Sequence, residues 1–382
     1  MPATTLLRRL AWIATVFALG VIVFGAFVRL SNAGLSCPDW PTCYGKATWP
    51  GHEHEIAHAN ANFDRPVETH RAWREQVHRM IAGTLGLLVL GIATAAAWRR
   101  WTWVGALGVA ALAAACAVRA YMLGHAELSG WLATIAMALP LLAAWRIGRP
   151  APWRIAIVAF SVIIFQAMLG MWTVTWLLKP VIVMAHLLGG LLTLVLIAYV
   201  ALRLSYAAAP TAALRRLQPM VVVGLVLLAA QIALGGWVSA NYAALSCGLD
   251  FPTCQGRWWP PMDFGEGFVL WRGIGVNYEG GVLDGPARTA IQMTHRIGAL
   301  IVFGHVGALA WLAVRRGQRG LGLLIGALLC LQVSLGIGNV LLDLPLAVAT
   351  AHNGVAALLL LALLALLVRT QLPLPAAPVR PL

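Results

Sequence analysis

Four histidines fall into two matched pairs, and the chemistry that residue type offers is axial ligation. His78 stands in E-Q-V-H-R and His295 in Q-M-T-H-R, while His186 stands in M-A-H-L-L-G-G and His352 in T-A-H-N-G. Each lies near the start of an apolar stretch. Neutral imidazole binds haem iron, and helical bundles build such sites from facing helices. Two histidines on different helices at matching depth can clamp one haem, so the repeat predicts two bis-histidine sites. For a lone histidine, a hydrogen bond to a neighbouring helix is an equally good reading; duplication of the whole set argues against it here. Zinc fits less well, because neither half supplies a third nearby His or Cys at ligand spacing.

The neighbours of these histidines suggest unequal roles for the two pairs. Arg79 and Arg296 follow the first histidine of each pair, and a guanidinium matches the carboxylate of a haem propionate with its two-pronged fork. Arg29, at the end of the first apolar run, either does the same or snorkels to the interface. Glu75 precedes His78 by three residues and so shares its helical face; the equivalent before His295 is Gln292. A carboxylate takes or gives protons and an amide does not. The first pair therefore reads as a reaction centre and the second as a site that holds a cofactor or passes electrons. The plainer alternative pairs Glu75 with Arg71 or Arg79 at the membrane surface.

Four of the six cysteines form two close pairs, Cys37 with Cys43 and Cys247 with Cys254, in the two long loops. On an oxidising face both would close as disulfides, either redox-active or purely structural. Cys116 and Cys330 read as small apolar fillers within helices. His52, His54, His58 and His70 lie with Glu53, Glu55, Asp64 and Glu68 in a loop read as solvated rather than metal-binding. His305, ten residues past His295, sits about 15 Å deeper along its helix and too deep for the same ligand set. Arg119 is expected to snorkel or to pair with Glu127.

The elements that must position these residues are membrane spans. The chain is 60% hydrophobic, has a mean hydropathy of +0.81 and carries 10% charged residues, against roughly 25% in soluble domains. Apolar runs of about 20 residues mark transmembrane helices. Ten are found, near 11–30, 76–98, 102–123, 128–146, 153–175, 181–203, 219–240, 289–314, 320–341 and 346–368. With the N-terminus inside, arginines such as Arg8, Arg9, Arg99, Arg100, Arg215, Arg216, Arg315 and Arg380 collect on the cytoplasmic side, and all 13 acidic residues fall outside. Both termini are then cytoplasmic and the histidines lie near the outer face. The net charge of +14 is largely this topological bias. It excludes a nucleic-acid role, since no basic domain stands outside the membrane.

An internal repeat orders the spans. Residues 25–50 and 235–260 share a helix end, an L-S-C element, a P-T-C element and a Trp-Pro exit; Q-A-M-L-G (166–170) matches Q-V-S-L-G (332–336). The fold class expected is an all-α integral membrane protein. It is built from two parallel-repeat four-helix bundles, with an extra helical hairpin near 100–150 in the first. The halves divide as 1–210, carrying the substrate site and the hairpin, and 211–382, carrying the cofactor site.

Taken together, G-A-F-V-R-L-S-N-A-G-L-S-C-P-D-W-P-x-C, E-x-x-H-R, the Q-x-x-L-G helices and the four histidines resemble the haem A synthase family of cytochrome oxidase assembly, over nearly the whole chain. The resemblance implies oxidation of the C8 methyl group of haem O to the formyl group of haem A through a hydroxylated intermediate. It implies that His78 and His186 flank the substrate haem with Glu75 beside them, that His295 and His352 hold haem b, and that Cys37 and Cys43 match a functional cysteine pair. The extra hairpin departs from the family's eight-helix core. Implied partners are haem O, membrane lipid, a haem O synthase and oxidase assembly factors; a homo-oligomer stays open. With no targeting extension before the first helix, a bacterial inner membrane is expected. A dihaem cytochrome b shuttling electrons and a haem carrier are the alternative functions.

Overall fold

Inside a bilayer every backbone N–H and C=O needs a partner from its own segment or a closed sheet, so ten long apolar runs can only be helices. The computed structural model describes residues 3–373; Arg380 lies outside them. The first half contains α1 (Ala3–Leu30), a short loop helix α2 (Glu53–Asn62), α3 (Thr69–Ala97), α4 (Trp101–Met122), α5 (Ala126–Arg146), α6 (Ala151–Thr175) and α7 (Pro180–Ser205). After it come α8 (Ala212–Arg215), α9 (Gln218–Ala240), α10 (Phe264–Gly267), α11 (Gly285–Arg315), α12 (Arg319–Leu341) and α13 (Leu346–Thr370). Ten of these helices are long and apolar enough to cross a membrane, and among the described residues no strand forms. The protein is an all-α integral membrane protein.

Helices α1 and α3 begin earlier than the apolar runs near 11 and 76. Hydropathy marks only the part that crosses hydrocarbon, whereas the helical ladder continues through polar turns beyond it. The start of α11 is set by local chemistry. Asp284 accepts the Ala287 N–H at 2.9 Å, and Pro286 occupies the first turn, where its missing N–H costs nothing.

Helices α1, α7, α9 and α13 meet at the centre; α3 packs on α1 and α6, and α11 on α9 and α12. The added hairpin leans on this frame unevenly. Its buried side chains Leu107, Ala110, Ala143, Ala144 and Ile147 join the main core with Ala93, Ala96 and Ala97 of α3. All lie toward the arginine-rich ends of their helices. The small residues let helices approach closely where lipid supplies no hydrophobic driving force.

At the opposite ends the two long loops repeat one another in detail. Disulfides close Cys37–Cys43 and Cys247–Cys254. Each loop contains a cis proline bond, Trp40–Pro41 and Phe251–Pro252. In the first, Asp39 accepts from Thr42 Oγ1, Tyr44 N and Gly45 N; in the second, Asp250 accepts from Thr253 Oγ1 and Gly256 N, both at 2.7 Å. These hydrogen bonds, Thr253 first, hold the Asp250 carboxyl below its ordinary range.

The first loop also carries α2, pinned through Glu55. Its carboxylate accepts from Lys46 Nζ, from Gly51 N at 2.9 Å and from His52 N at 3.3 Å. With Lys46 the largest cause, these bonds lower its pKa from 4.5 to about 2. A lowered carboxylate pKa contributes stability above the unfolded value and loses it as pH falls through the folded one. Backbone hydrogen-exchange protection factors over residues 44–62, which remove the intrinsic pH dependence of exchange, should therefore be constant from neutral pH down to about 5 and fall between about 4.5 and 2. Glu55→Gln should remove that step; an unchanged profile in this variant would show that the anchor lies elsewhere.

Candidate functional site

One cavity of about 1920 Å³ runs between the helices and is lined by all four histidines together with Glu75, Arg79, Gln292 and Arg296. Its lining is mainly apolar, and typical ligand pockets are roughly 300–1,000 Å³. The space is therefore large enough for two large, flat, apolar ligands.

Each histidine enters this cavity through a notch made by a glycine on a neighbouring helix. A Cβ added to Gly25 would lie 2.7 Å from His78 Cε1; at Gly170, Gly235 and Gly336 it would lie 3.1 Å from Cε1 of His186, His295 and His352. A side chain at Gly25 would collide with the imidazole, and at the other three positions it would press on the ring more closely than an ordinary contact, so the four glycines give the imidazoles their space. His78 of α3 thus faces α1, His186 of α7 faces α6, His295 of α11 faces α9 and His352 of α13 faces α12.

Four residues before three of these glycines stands a glutamine that fixes the imidazole. Gln166 Nε2 lies 3.0 Å from His186 Nδ1 and donates to His186 O at 2.7 Å; Gln231 does the same to His295 at 3.0 and 2.8 Å. Gln332 Nε2 lies 3.2 Å from His352 Nε2. Gly189 and Gly298, three residues after His186 and His295, leave room for the first two amides. Sequence reasoning found the glutamines at 166 and 332 but missed Gln231, although Q-I-A-L-G (231–235) repeats the same Q-x-x-L-G signal. In the fourth place stands Val21, and His78 Nδ1 is buried with no hydrogen-bond partner. The amide oxygens of Gln166, Gln231 and Gln332 are buried and unpartnered as well, as is His352 Nδ1. At Gln332 a half-turn of the amide would present Oε1 to a ring N–H, the tautomer that frees the other nitrogen for a metal; at Gln166 and Gln231 the bond to the histidine carbonyl fixes Nε2 toward the ring.

Glu75 is not a surface residue. It is buried, accepts the Cys37 N–H at 2.9 Å and pairs with Arg79 Nη2 at 2.5 Å. The plainer sequence alternative of an Arg79 pair is therefore real, but it lies inside the protein against the disulfide loop. Arg79 Nη1 donates to the carbonyls of Asp39 and Thr42 at 2.8 and 2.6 Å. Arg296 makes the equivalent bonds, to Thr253 O at 2.8 Å and Asp250 O at 3.0 Å. Both arginines line the cavity while their terminal nitrogens tie the ligand-bearing helix to its disulfide loop. Gln292, where Glu75 would repeat, is buried with an unpartnered Oε1.

The model of the COX15–CtaA family, described as cytochrome oxidase assembly protein, matches residues 8–126 and 125–364. The chain belongs to this family. It is similar to a heme A synthase of Shewanella oneidensis, 41% identical with 95% of each chain covered. It is also similar to heme A synthases of Rhizorhabdus wittichii, 24% identical with 95% of this chain and 93% of the relative covered, and of Bacillus licheniformis, 24% identical with 91% and 90% covered.

The remaining candidate residues of the chain sort by contact. Arg29 donates to Ser239 O at 2.7 Å and to Tyr242 OH at 3.2 Å, joining the end of α1 to the end of α9 at the cavity rim. His305 Nε2 lies 2.9 Å from Met220 O, a contact between α11 and α9. Arg119 is exposed, and among the described residues it forms no ion pair with Glu127. Cys116 and Cys330 are exposed, which corrects the expectation that they fill gaps inside; a thiol is apolar enough to face lipid on an outer helix. Of the histidines read as loop residues, His52, His54 and His58 lie at or in α2, where His52 and His54 stack, whereas His70 is in the first turn of α3 beside Glu68; no metal-binding group of three or more His, Cys, Asp or Glu forms among the described residues.

Proposed function

We propose that this protein is a heme A synthase that oxidises the C8 methyl group of haem O to a formyl group. His78 and His186 would hold haem O, and His295 and His352 would hold haem b. The observation that carries this reading is the inequality of two otherwise repeated sites, with a buried carboxylate beside His78 and an amide beside His295. That relatives are heme A synthases supports the same activity.

The second site fits a haem: two imidazoles from facing helices in an apolar cavity, with a buried, unpartnered nitrogen on His352. Bound there, haem b supplies a one-electron redox centre. The chain's own residues do the rest. The glycine notches and the glutamine amides fix the rings, and the two disulfide loops hold α3 and α11 through Arg79 and Arg296.

At the first site each oxidation, with water as the oxygen source, takes two electrons and two protons from the substrate and that water together, the electrons leaving in single steps to an external one-electron acceptor. One round gives hydroxymethyl, and a second gives the hydrated formyl group, which loses water. Glu75 accepts a proton from the attacking water and stabilises positive charge at the methyl carbon. Its bond from Cys37 N and its pairing with Arg79 keep the carboxylate oriented as a base. The halves divide as 1–210 and 211–382, with the acidic loops and the haem sites on the outer face of a bacterial inner membrane and both termini inside.

Co-expression with a source of haem O, followed by extraction of the bound pigments, tests the reading. Haem A or its hydroxylated precursor is expected beside haem b. Haem b alone would instead indicate a dihaem electron carrier, and unchanged haem O a carrier of haem.

A further inference from the structure

The cavity is not symmetric between the halves, and the difference lies in the added hairpin. Toward the arginine-rich side, α4 and α5 are sealed against α3 and α6 by the core that includes Leu107, Ala110 and Ile147. Toward the loop side that core does not continue; there Trp40 of the disulfide loop packs edge-on against Tyr121 of α4, with ring centroids 5.9 Å apart. There the cavity that holds His78 extends outward between α3, α4 and α5, past Met80, Gly83 and Leu87 on one wall and Ala115, Val118 and Gly130 on the other. Met80 is 50% and Leu87 71% exposed, so the groove is open and apolar along its length. Its floor is widened by glycine: a Cβ at Gly83, Gly86 or Gly130 would meet nothing within 4 Å.

The second half has no counterpart. Counting from the ligand histidine, Gly83 corresponds to Leu300 and Gly86 to Phe303, and no hairpin stands opposite. The half that carries Glu75 thus has a walled groove floored by glycine, and the half that carries Gln292 has bulky side chains.

We propose that the α3–α4–α5 groove binds the isoprenoid tail of haem O and thereby fixes the rotation of the ring, bringing one methyl group to Glu75. This rests on the proposed function. Haem O carries a long isoprenoid substituent that haem b lacks, so only one of two bis-histidine sites needs such a channel. The groove joins the His78 site directly, which gives the tail a path without leaving the protein's wall. In a bilayer the alternative environment of the tail is equally apolar, so the gain comes from close packing and from orientation rather than from escape from water. A tight site for the ring and a lateral groove for the tail also allow entry from the membrane.

The test titrates the purified full-length protein in detergent with haem O and with haem b. Binding is read as the bis-imidazole absorption change that a His186→Ala variant lacks. The first-half site should prefer haem O by about fivefold or more. The Gly83→Leu, Gly86→Phe double variant, which copies the second half, should abolish that preference while leaving haem b affinity unchanged, and Gly130→Leu should act likewise from the opposite wall. Leu112→Phe, on an exposed position of α4 outside the cavity lining, should change nothing. Equal affinity of the wild type for both haems, a preference that survives the groove variants, or equal weakening of both haems would overturn the proposal; survival of the preference would assign the groove to lipid. Conversion of haem O by a wild type without preference would leave the enzymatic reading standing and the groove assignment lost. Preference without conversion would do the reverse.

Discussion

Glu75→Gln is expected to keep both haems bound and to reduce formyl formation by about 10²–10⁴-fold, the range ascribed to a positioned general base. The amide is nearly isosteric and can still accept the Cys37 N–H, so the α3–loop contact survives. Lost is the charge that faces Arg79 and the capacity to take a proton. Breaking a buried ion pair costs about 3–5 kcal/mol when the partner is left alone. Here Arg79 retains the Asp39 and Thr42 carbonyls, which lowers that cost. The check is chromatography of extracted haems alongside the absorption spectrum of the purified protein. Wild-type levels of haem A in the variant would remove Glu75 from the chemistry; loss of the haem spectrum would assign it a role in folding the site.

Gly235→Val and Gly336→Val should each lower haem b affinity by about 10–100-fold, and with it occupancy, without touching a ligand. The added methyl groups fall where His295 and His352 place Cε1, at 3.1 Å from the first new carbon. Overpacking of this kind costs about 1–3 kcal/mol, which corresponds to that range of affinity. The imidazole cannot simply retreat, because Gln231 and Gln332 hold it from the side. Gly304→Val, on the same helix as His295 but facing open space, serves as the matched control. Haem-to-protein stoichiometry decides the matter, and full occupancy in both notch variants would mean that the rings sit elsewhere when haem is bound.

The same two sites show why some features are readable in a sequence and others are not. Hydropathy reports on burial in hydrocarbon, which acts on about 20 consecutive residues and so prints a one-dimensional signal. The ten spans, including the unusual hairpin, were legible for that reason. Helix ends were not, because the polar first turns of α1 and α3 carry no hydropathy signal. Glu75 could be singled out by its place one turn before His78, since a three-residue spacing is itself a statement about a helical face. Its burial and its bond to the Cys37 backbone could not, because they depend on a loop 38 residues away in sequence.

The arginines show the limit most clearly. Their position beside the histidines suggested propionate contacts; the structure adds that the terminal nitrogens of Arg79 and Arg296 reach carbonyls of the disulfide loops while both side chains line the cavity. A guanidinium takes whichever acceptors the fold brings within reach, and residue type does not choose between them. Gln231 shows the opposite case: the signal was present in Q-I-A-L-G, but its meaning required seeing the amide against His295.

Composition, the arginine pattern and the doubled histidine motifs by themselves determined that this is a ten-span helical membrane protein with two related halves and an asymmetric pair of histidine sets. Those properties are carried by runs and repeats along the chain. Only the tertiary structure decided that each histidine is seated in a glycine notch, that the disulfide loops brace α3 and α11, and that the hairpin stands away from α3 to leave a groove beside His78. These depend on atoms from separate helices meeting at 3 Å, and packing between helices leaves no period in the sequence to read.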